Sequence, residues 1–146
     1  MVRINLYWFG KTKSPLMAED INRYAKLLGI FADLRIIEFQ EETGSKEQII
    51  NRESEKVLKK MPEKFILLDE KGENYTSLEF ADFIKNQSEI NFLIGGVYGL
   101  SEQAKNKAVK KIALSKMTFT HEMTRIILLE QLYRAFCIIK GKKYHY

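Results

Sequence analysis

The last six residues, GKKYHY, carry side chains that suit contact with a polyanion. They comprise two lysines, two tyrosines and one of only two histidines in the chain. Basic side chains contact phosphate, and aromatic rings stack on unpaired bases. A histidine also titrates close to neutral pH and can exchange a proton there. The tail is therefore a candidate nucleic-acid contact, and the alternative is a frayed polar end without a function.

A glycine-rich segment, FLIGGVYGL at residues 92–100, is a second candidate site. Three glycines follow directly on an apolar strand. Glycine adopts positive φ angles and lets the backbone approach a ligand closely. The segment lacks the Gly-Lys-Ser/Thr of a P-loop and the GxGxxG of dinucleotide-binding proteins. A ligand-binding turn and an ordinary tight strand-to-helix turn both fit this pattern.

The segment ALSKMTFTH connects a predicted strand to a predicted helix and is a third candidate. The apolar side chains of Leu114, Met117 and Phe119 are suited to enclosing a flat ring. Ser115 and Thr118 add hydroxyl groups beside backbone donors and acceptors. The alternative is a plain connection in which Met117 and Phe119 belong to the core.

Other common chemistries find no support in the sequence. His121 and His145 lack a local set of further ligands, so a metal site is not expected. No Gly-x-Ser-x-Gly nucleophile elbow occurs. His121 is expected simply to begin a helix. Cys137 has mostly apolar helix neighbours and is expected, like Trp8, to lie in the core.

Strand and helix patterns alternate along the chain. Apolar runs predict strands at residues 2–9, 34–39, 65–69, 90–94 and 112–114, with a turn at 70–73. Capping residues predict helices that begin after Ser14, Ser45, Thr76, Ser101 and Thr120. The first should end at Gly29, a C-terminal glycine cap. The second should run to about residue 60, with Ile50, Val57, Leu58 and Met61 on its buried face. The fourth should include the lysines near residue 110, and the last should reach residue 139.

This alternation predicts an α/β fold with a mostly parallel sheet flanked by helices. Ligands of such sheets bind beyond the carboxyl ends of the strands. The 146 residues contain no repeat and no linker, so a single domain spanning residues 1–146 is expected.

The composition favours a soluble cytoplasmic protein. Hydrophobic residues make up 45% of the chain and charged residues 29%, with a single cysteine. No apolar run approaches the roughly 18 residues of a membrane span, and the N-terminus does not resemble a signal peptide. The net charge of +5 would attract a polyanion, although a solvated basic surface explains it equally well.

The segments FLIGGVYGL and LSKMTFTHEMTRIILLEQLYRA, together with the terminal YHY, resemble the RlmH family of SPOUT-class methyltransferases. The resemblance covers essentially the whole chain. It implies a SPOUT-type fold with a trefoil knot near the C-terminus, a homodimer, and S-adenosyl-L-methionine as the cofactor. The implied reaction is methylation of N3 of a pseudouridine in 23S ribosomal RNA, within the large subunit or the whole ribosome.

The resemblance also assigns site residues. The implied cofactor contacts are Leu68, Gly95, Leu114, Ser115, Lys116, Met117, Thr118 and Phe119. The implied catalytic and RNA-contacting residues are Arg134, Tyr144 and His145, with the tail of one protomer reaching the cofactor of the other. His145 is a candidate proton acceptor, and Arg134 a candidate donor to a carbonyl or phosphate oxygen. Tyr146 departs from the Arg or Lys that often follows Tyr-His in this family, which puts a terminal phosphate contact in doubt.

Two alternatives remain open at this point. The first is a related SPOUT methyltransferase that acts on another ribosomal RNA position or on tRNA. The second is a non-catalytic ribosome-assembly factor, which would fit the basic charge but would not bind S-adenosylmethionine.

Overall fold

The computed structural model describes residues 1–146 and contains one five-stranded sheet in which every neighbouring pair is parallel. The strand order is β2-β1-β4-β3-β5. The strands are β1 (Val2–Phe9), β2 (Ala32–Phe39), β3 (Ile66–Asn74), β4 (Glu89–Ile94) and β5 (Lys110–Ala113). The helices are α1 (Pro15–Leu28), α2 (Lys46–Lys60), α3 (Ser77–Lys85), α4 (Glu102–Asn106) and α5 (His121–Ile139). The predicted α/β class with a parallel sheet is confirmed.

The sheet separates two apolar clusters, as expected when successive side chains of a buried strand point to opposite faces. On β1, Ile4, Leu6 and Trp8 join the larger cluster, which also contains residues of α1, α3 and α5. Phe9 joins the smaller cluster, which lies against α2 and α4. The predictions for Trp8 and Cys137 are confirmed, since both side chains are buried.

The predicted helix starts are confirmed by their caps. The side chains of Ser45 and Gln48 bond reciprocally to each other's backbone N–H, as do those of Thr76 and Glu79. The end of α1 differs from the expected left-handed glycine cap, because Gly29 has a φ of −59°. Its N–H still bonds to the carbonyl of Ala25, so the helical turn simply continues through it.

The predicted turn at residues 70–73 is wrong, because β3 continues to Asn74. Its pairing with β5 shifts register between Leu68 and Glu73, so that Ile112 pairs with both. A Cβ atom at Gly72 would lie only 2.6 Å from the carbonyl carbon of Lys111. A glycine is needed at this position because the two backbones approach each other so closely.

Two strands, β2 and β5, begin two residues earlier than predicted. The strand predicted at 112–114 is β5, Lys110–Ala113, so two lysines expected in the preceding helix belong to an edge strand and Leu114 follows it. Their ladder partners are Ile66 and Leu67. β2 likewise begins at Ala32, which pairs with Val2. Hydrophobic periodicity indicates which side chains are buried, whereas the first residues of these strands are set by backbone pairing.

The buried face of α2 was only partly predicted. Val57 and Met61 are buried as expected, whereas Ile50 and Leu58 are half-buried. Two polar residues, Glu53 and Ser54, are buried between them unexpectedly.

No helix combines the length and apolar character that crossing a membrane requires. The trefoil knot implied by the resemblance stays a prediction.

Candidate active site

A cavity of about 790 Å³ opens where β4 and β5 end, beside residues 67–70 of β3. This is the edge at which parallel α/β sheets bind their ligands. Seven of the eight residues expected to contact a cofactor line it. These are Leu68, Gly95, Leu114, Ser115, Met117, Thr118 and Phe119. The eighth, Lys116, is exposed and does not line the cavity.

The glycine-rich segment forms one wall of this cavity as a tight turn. The N–H of Gly99 donates to the carbonyl of Gly96 over 3.0 Å, and Gly99 adopts a φ of +76°. A Cβ atom at Gly96 would overlap Oε1 of Glu53. The positive φ therefore explains the glycine at position 99, and the close approach of Glu53 explains the glycine at position 96.

The loop after β5 forms the facing wall. The N–H of Met117 donates to Oγ of Ser115 over 3.0 Å, and the hydroxyl of Thr118 bonds to a carboxylate oxygen of Glu70. Met117 is 75% exposed and Phe119 is 37% exposed. These side chains are not in the core, so the alternative of a plain core connection is wrong for both.

The first turn of α5 closes the cavity from a third side. Glu122 accepts hydrogen bonds from the backbone N–H groups of Lys13 and Ser14, over 3.1 and 3.3 Å. This contact holds the loop between β1 and α1 against α5. Ser14, Met17 and Glu122 all line the cavity, although their sequence patterns indicated nothing beyond their helix positions.

Arg125 is the buried link between the same two segments. It is 1% exposed and donates to the carbonyl of Phe9 over 2.8 Å and to the hydroxyl of Thr12 over 2.9 Å. Its guanidinium lies 4.8 Å from the centre of the Trp8 ring. Burial lowers the pKa of Arg125, although arginine still keeps its charge in proteins.

His121 lines the cavity as well as beginning α5. Burial lowers its pKa, and the positive charge of Arg125 lowers it further. The imidazole is therefore neutral at neutral pH. The sequence pattern correctly predicted His121 as a helix-start residue but did not indicate its position in the cavity wall.

The cavity combines apolar walls with negative charge. Leu68, Leu100 and Leu114 supply apolar surface. Three carboxylates (Asp69, Glu70 and Glu122) and one ammonium group (Lys105) also line the cavity, so negative charge is in excess. Apolar walls with a few convergent polar groups are typical of small-molecule sites. This arrangement suits a ligand that has a flat apolar part and a positive charge.

A separate cluster lies at the other end of α5. Nη1 of Arg134 lies 3.1 Å from Nδ1 of His145, and its guanidinium carbon lies 4.8 Å from the centre of the Tyr144 ring. Nε and Nη2 of Arg134 contact Oε1 of Glu130 at 2.8 and 2.6 Å. The three predicted catalytic residues are thus brought together by one helix end and the tail.

The charge states of this cluster follow from its contacts. The hydrogen bond to Glu130 raises the pKa of Arg134, which stays positively charged. Burial, followed by hydrogen bonding with Tyr24, raises the pKa of Tyr144 to about 12. The Tyr144 phenol is therefore neutral at neutral pH and can donate a hydrogen bond.

This C-terminal cluster lies far from the cavity within one chain. Arg134 follows Thr124, the last residue of α5 in the cavity wall, by ten residues, which corresponds to about 15 Å along a helix. Arg134, Tyr144 and His145 are absent from the cavity wall. One chain therefore presents two groups of candidate residues that its own fold keeps apart.

Comparison with known proteins identifies the family. A family profile described as "Predicted SPOUT methyltransferase" matches residues 2–145. The chain belongs to the SPOUT methyltransferase family. This confirms the methyltransferase class that the resemblance implied.

Among its relatives are proteins named ribosomal RNA large subunit methyltransferase H. The chain is 48% identical over 146 residues to the one from Thermodesulfovibrio yellowstonii, with 100% of both chains covered. It is 42% identical to the one from Geotalea daltonii, covering 99% of this chain and 100% of the relative. The resemblance to the RlmH family is therefore confirmed over the full length.

A solved structure of the SpoU methyltransferase AviRb from Streptomyces viridochromogenes, in complex with the cofactor AdoMet, is a more distant match. It has a TM-score of 0.47 and 14% identity, and covers 89% of this chain and 56% of that one.

Proposed function

We propose that this SPOUT methyltransferase transfers the methyl group of S-adenosyl-L-methionine to N3 of a pseudouridine in 23S ribosomal RNA, in the cytoplasm. The observation that carries the proposal is the cavity at the strand ends, whose wall contains seven of the eight expected cofactor contacts. The full-length identity of 48% to a protein named for ribosomal RNA methylation supports the substrate class.

The cavity suits S-adenosylmethionine in size and chemistry. Its volume of about 790 Å³ lies within the roughly 300–1,000 Å³ of ligand sites. Leu114 and Phe119 would cover the faces of the adenine ring, while the backbone of Gly95 and the 115–118 loop would bond to its edge. The carboxylates of Asp69, Glu70 and Glu122 complement a positive ligand. When bound, S-adenosylmethionine supplies a methyl group already activated on a sulfonium.

The protein's contribution is then mainly alignment, together with removal of the proton from N3. Glu130 holds Arg134 through Nε and Nη2, while Nη1 lies against His145 of the tail, and the guanidinium would stabilise a carbonyl or phosphate oxygen of the substrate. The neutral phenol of Tyr144 packs against Tyr133 and Arg134 and would stack on or bond to the base.

The contact between Arg134 and His145 limits what His145 can do. A guanidinium only donates, so Nδ1 of His145 must accept, and the neutral ring then carries its hydrogen on Nε2. In this arrangement Nε2 donates a hydrogen bond. Accepting the N3 proton at His145 would require Arg134 to release Nδ1 first.

A second copy of the chain would complete the site. The C-terminal cluster lies about 15 Å from the cavity along α5, so we propose a homodimer in which the tail of one protomer faces the cavity of its partner. Arg134, Tyr144 and His145 would then act beside the cofactor held by Leu68, Gly95 and the 114–119 loop, including Lys116.

The assembled large subunit or ribosome is the proposed substrate. Residues 1–146 form one α/β unit in which no element stands apart as a separate RNA-binding module. Its target would therefore be recognised through the shape of the surrounding particle as well as through the base. A short RNA stem-loop is expected to be a poor substrate, and efficient methylation of one would contradict this part of the proposal.

Calorimetric titration with S-adenosylmethionine tests the function first. Stoichiometric binding is expected, followed by methyl transfer to ribosomes and detection of N3-methylpseudouridine by mass spectrometry of the nucleosides. A methylated nucleoside at another position, or in tRNA, would favour the alternative substrate. Absence of binding, even with ribosomes present, would favour the ribosome-assembly factor.

Replacing His145 separates its two possible roles. His145→Ala should lower turnover by about a hundredfold, since either role requires the imidazole. His145→Gln keeps a hydrogen-bond donor but cannot accept a proton at neutral pH. Turnover of both variants would be measured against pH. Substantial turnover in the Gln variant would identify His145 as a hydrogen-bond donor. An equal loss of turnover in both variants would identify it as the proton acceptor. Full turnover of His145→Ala would exclude a catalytic role altogether.

A further inference from the structure

A buried carboxyl group lies behind the glycine turn and takes no part in the proposed reaction. Glu53 on α2 is only 1% exposed. Its Oε2 accepts a hydrogen bond from the N–H of Glu42 over 3.2 Å, whereas its Oε1 has no hydrogen-bond partner. Burying a carboxyl oxygen without a partner is costly. A leucine or valine at this position of α2 would avoid that cost, so stability alone does not account for Glu53.

The unpartnered oxygen lies directly against Gly96. A Cβ atom at position 96 would overlap Oε1 of Glu53 and lie 3.1 Å from its Cδ. Only a glycine fits against this carboxyl without displacing it. Gly96 also lines the cavity, whereas Glu53 does not. The turn therefore lies between the carboxyl of Glu53 and the cavity.

The next residue of α2 holds the far end of the same turn. The N–H of Ser101 donates to Oγ of Ser54 over 2.8 Å, and Ser54 is also buried. Oγ of Ser101 in turn accepts from the N–H of Ala104 and caps α4. Two consecutive polar residues of α2 thus contact the two ends of the segment between Gly96 and Ser101.

The charges around Glu53 leave its carboxyl without a direct cation. Glu41 and Glu42, on the loop before α2, add negative charge nearby. Lys56 on α2 is the nearby cation, but it pairs with Glu42 and with the carbonyl of Gln40. Arg52 bonds to the carbonyl of Thr43. Burial raises the pKa of Glu53, partly offset by the hydrogen bond from Glu42.

We propose that Glu53 is a positioning residue for the glycine turn: its carboxyl fixes where Gly96 lies and thereby sets the affinity of the cavity for S-adenosylmethionine. Glu53 touches no reactant and acts through Gly96. This inference rests on the proposed function, because it takes S-adenosylmethionine as the ligand of the cavity.

A double-mutant cycle between Glu53 and Gly96 tests the proposal on the full chain. Calorimetry would give the S-adenosylmethionine dissociation constant of the wild type, Glu53→Ala, Gly96→Ala and the double variant. Each single change should raise the constant about tenfold, and the double variant should show a coupling of at least about threefold. The coupling arises because the methyl group that Gly96→Ala adds overlaps an oxygen that Glu53→Ala removes.

Two further variants separate positioning from general stability. Glu53→Gln keeps the shape and the acceptor for Glu42, so its affinity should stay within about twofold of the wild type. Glu55→Gln removes a carboxylate from the exposed face of the same helix, where Glu55 pairs with Lys59, and should change neither affinity nor unfolding temperature. If Glu53→Ala does not fold, Glu53→Asp serves in the cycle, since it withdraws the carboxyl from Gly96 by one methylene.

The outcomes distinguish this inference from the proposed function. Wild-type affinity in both Glu53→Ala and Glu53→Asp, or independent effects of the changes at positions 53 and 96, would overturn the positioning role alone. A wild-type protein that does not bind S-adenosylmethionine at all would overturn the proposed function, and this inference with it. Reduced affinity in Glu53→Ala, restored in Glu53→Gln, would support the proposal.

The stability of the variants against pH gives an independent readout. A carboxyl whose pKa is raised on folding favours the folded state below its unfolded pKa, and this advantage is lost as the pH rises through the folded pKa. The free energy of unfolding of the wild type should therefore fall, relative to that of Glu53→Gln, as the pH rises above the ordinary glutamate range. Parallel curves of unfolding free energy against pH for the two proteins would show that folding does not raise the pKa of Glu53. The group against Gly96 would then be an ionised carboxylate, which the neutral amide of Gln does not imitate.

Discussion

Arg134→Ala should lower methyl transfer to ribosomes by at least about a hundredfold and leave S-adenosylmethionine affinity unchanged. The guanidinium is held by Glu130 at 2.6 to 2.8 Å, so its donors are already oriented before a substrate arrives. It contacts His145 and Tyr144, and its loss would disorganise both. The cavity wall contains none of these residues, so cofactor binding should not respond.

Two variants control for the loss of charge alone. Arg134→Lys keeps the charge but lacks the planar fork, and should recover only a small part of the activity. Arg35→Ala removes an exposed arginine from the edge strand β2 and should behave as the wild type. Single-turnover rates and calorimetry, measured on the same preparations, would contradict the assignment if Arg134→Ala lost cofactor affinity and turnover in proportion.

Mixed dimers extend the same prediction to the composite site. One protomer would carry Arg134→Ala and the other Gly95→Trp, which fills the cavity. Each homodimer should be inactive, whereas a heterodimer regains one site, made of the intact cavity of one protomer and the intact tail of the other. An equal mixture should recover about a quarter of wild-type activity, given a two-fold symmetric dimer. Complete inactivity of the mixture would place both half-sites within one protomer.

The parts of the fold predicted from sequence are those governed by local chemistry. The side chains of Ser14, Ser45 and Thr76 each accept a hydrogen bond from the backbone N–H three residues later, so a short stretch of sequence contains the whole signal. The alternating strands and helices likewise predicted the parallel sheet, and the sheet predicted where a ligand would bind. The loop at Met117 was found because it joins a strand end to a helix start at that edge.

The parts that sequence reasoning missed depend on contacts between distant segments. Glu53 is buried because Gly96 and Glu42 close over it, and nothing within α2 reports that. Lys110 and Lys111 were assigned to a helix because charged side chains do not indicate a strand. They belong to β5 only because their backbone pairs with β3. His121 gave only a helix-start signal, since its position in the cavity wall depends on strands that precede it by more than twenty residues.

The separation of the two half-sites was implied only by the family resemblance and not by the residue patterns. The sequence indicated the glycine turn, the loop after β5 and the tail as candidate sites. Periodicity, however, carries no information on the distance between them. The structure supplies it, because a continuous helix, α5, connects the cavity to the C-terminal cluster. That distance is what makes a composite site between two protomers the stronger proposal.

Arg125→Ala should lower the free energy of unfolding by about 3–5 kcal/mol, as for other large side chains removed from a packed interior. The change also removes the donors to the carbonyl of Phe9 and the hydroxyl of Thr12. A loss of this size is a large part of the roughly 5–15 kcal/mol that stabilises a typical domain. Thermal and urea unfolding would measure it, and Thr12→Ala, which removes one partner, should cost only about 1 kcal/mol.

Arg125→Met separates the structural role of this side chain from its effect on the cavity. Methionine restores most of the buried volume without a charge that has to be desolvated, so stability should recover much of the loss seen in Arg125→Ala. It cannot bond to Phe9 or Thr12, so the loop before α1 loses its link to α5 except through Glu122. Because Ser14 and Met17 line the cavity, the S-adenosylmethionine dissociation constant should rise about tenfold in a stably folded Arg125→Met protein. Unchanged affinity in that variant would show that Arg125 supports only the core around Trp8, and that Glu122 alone holds the loop in place.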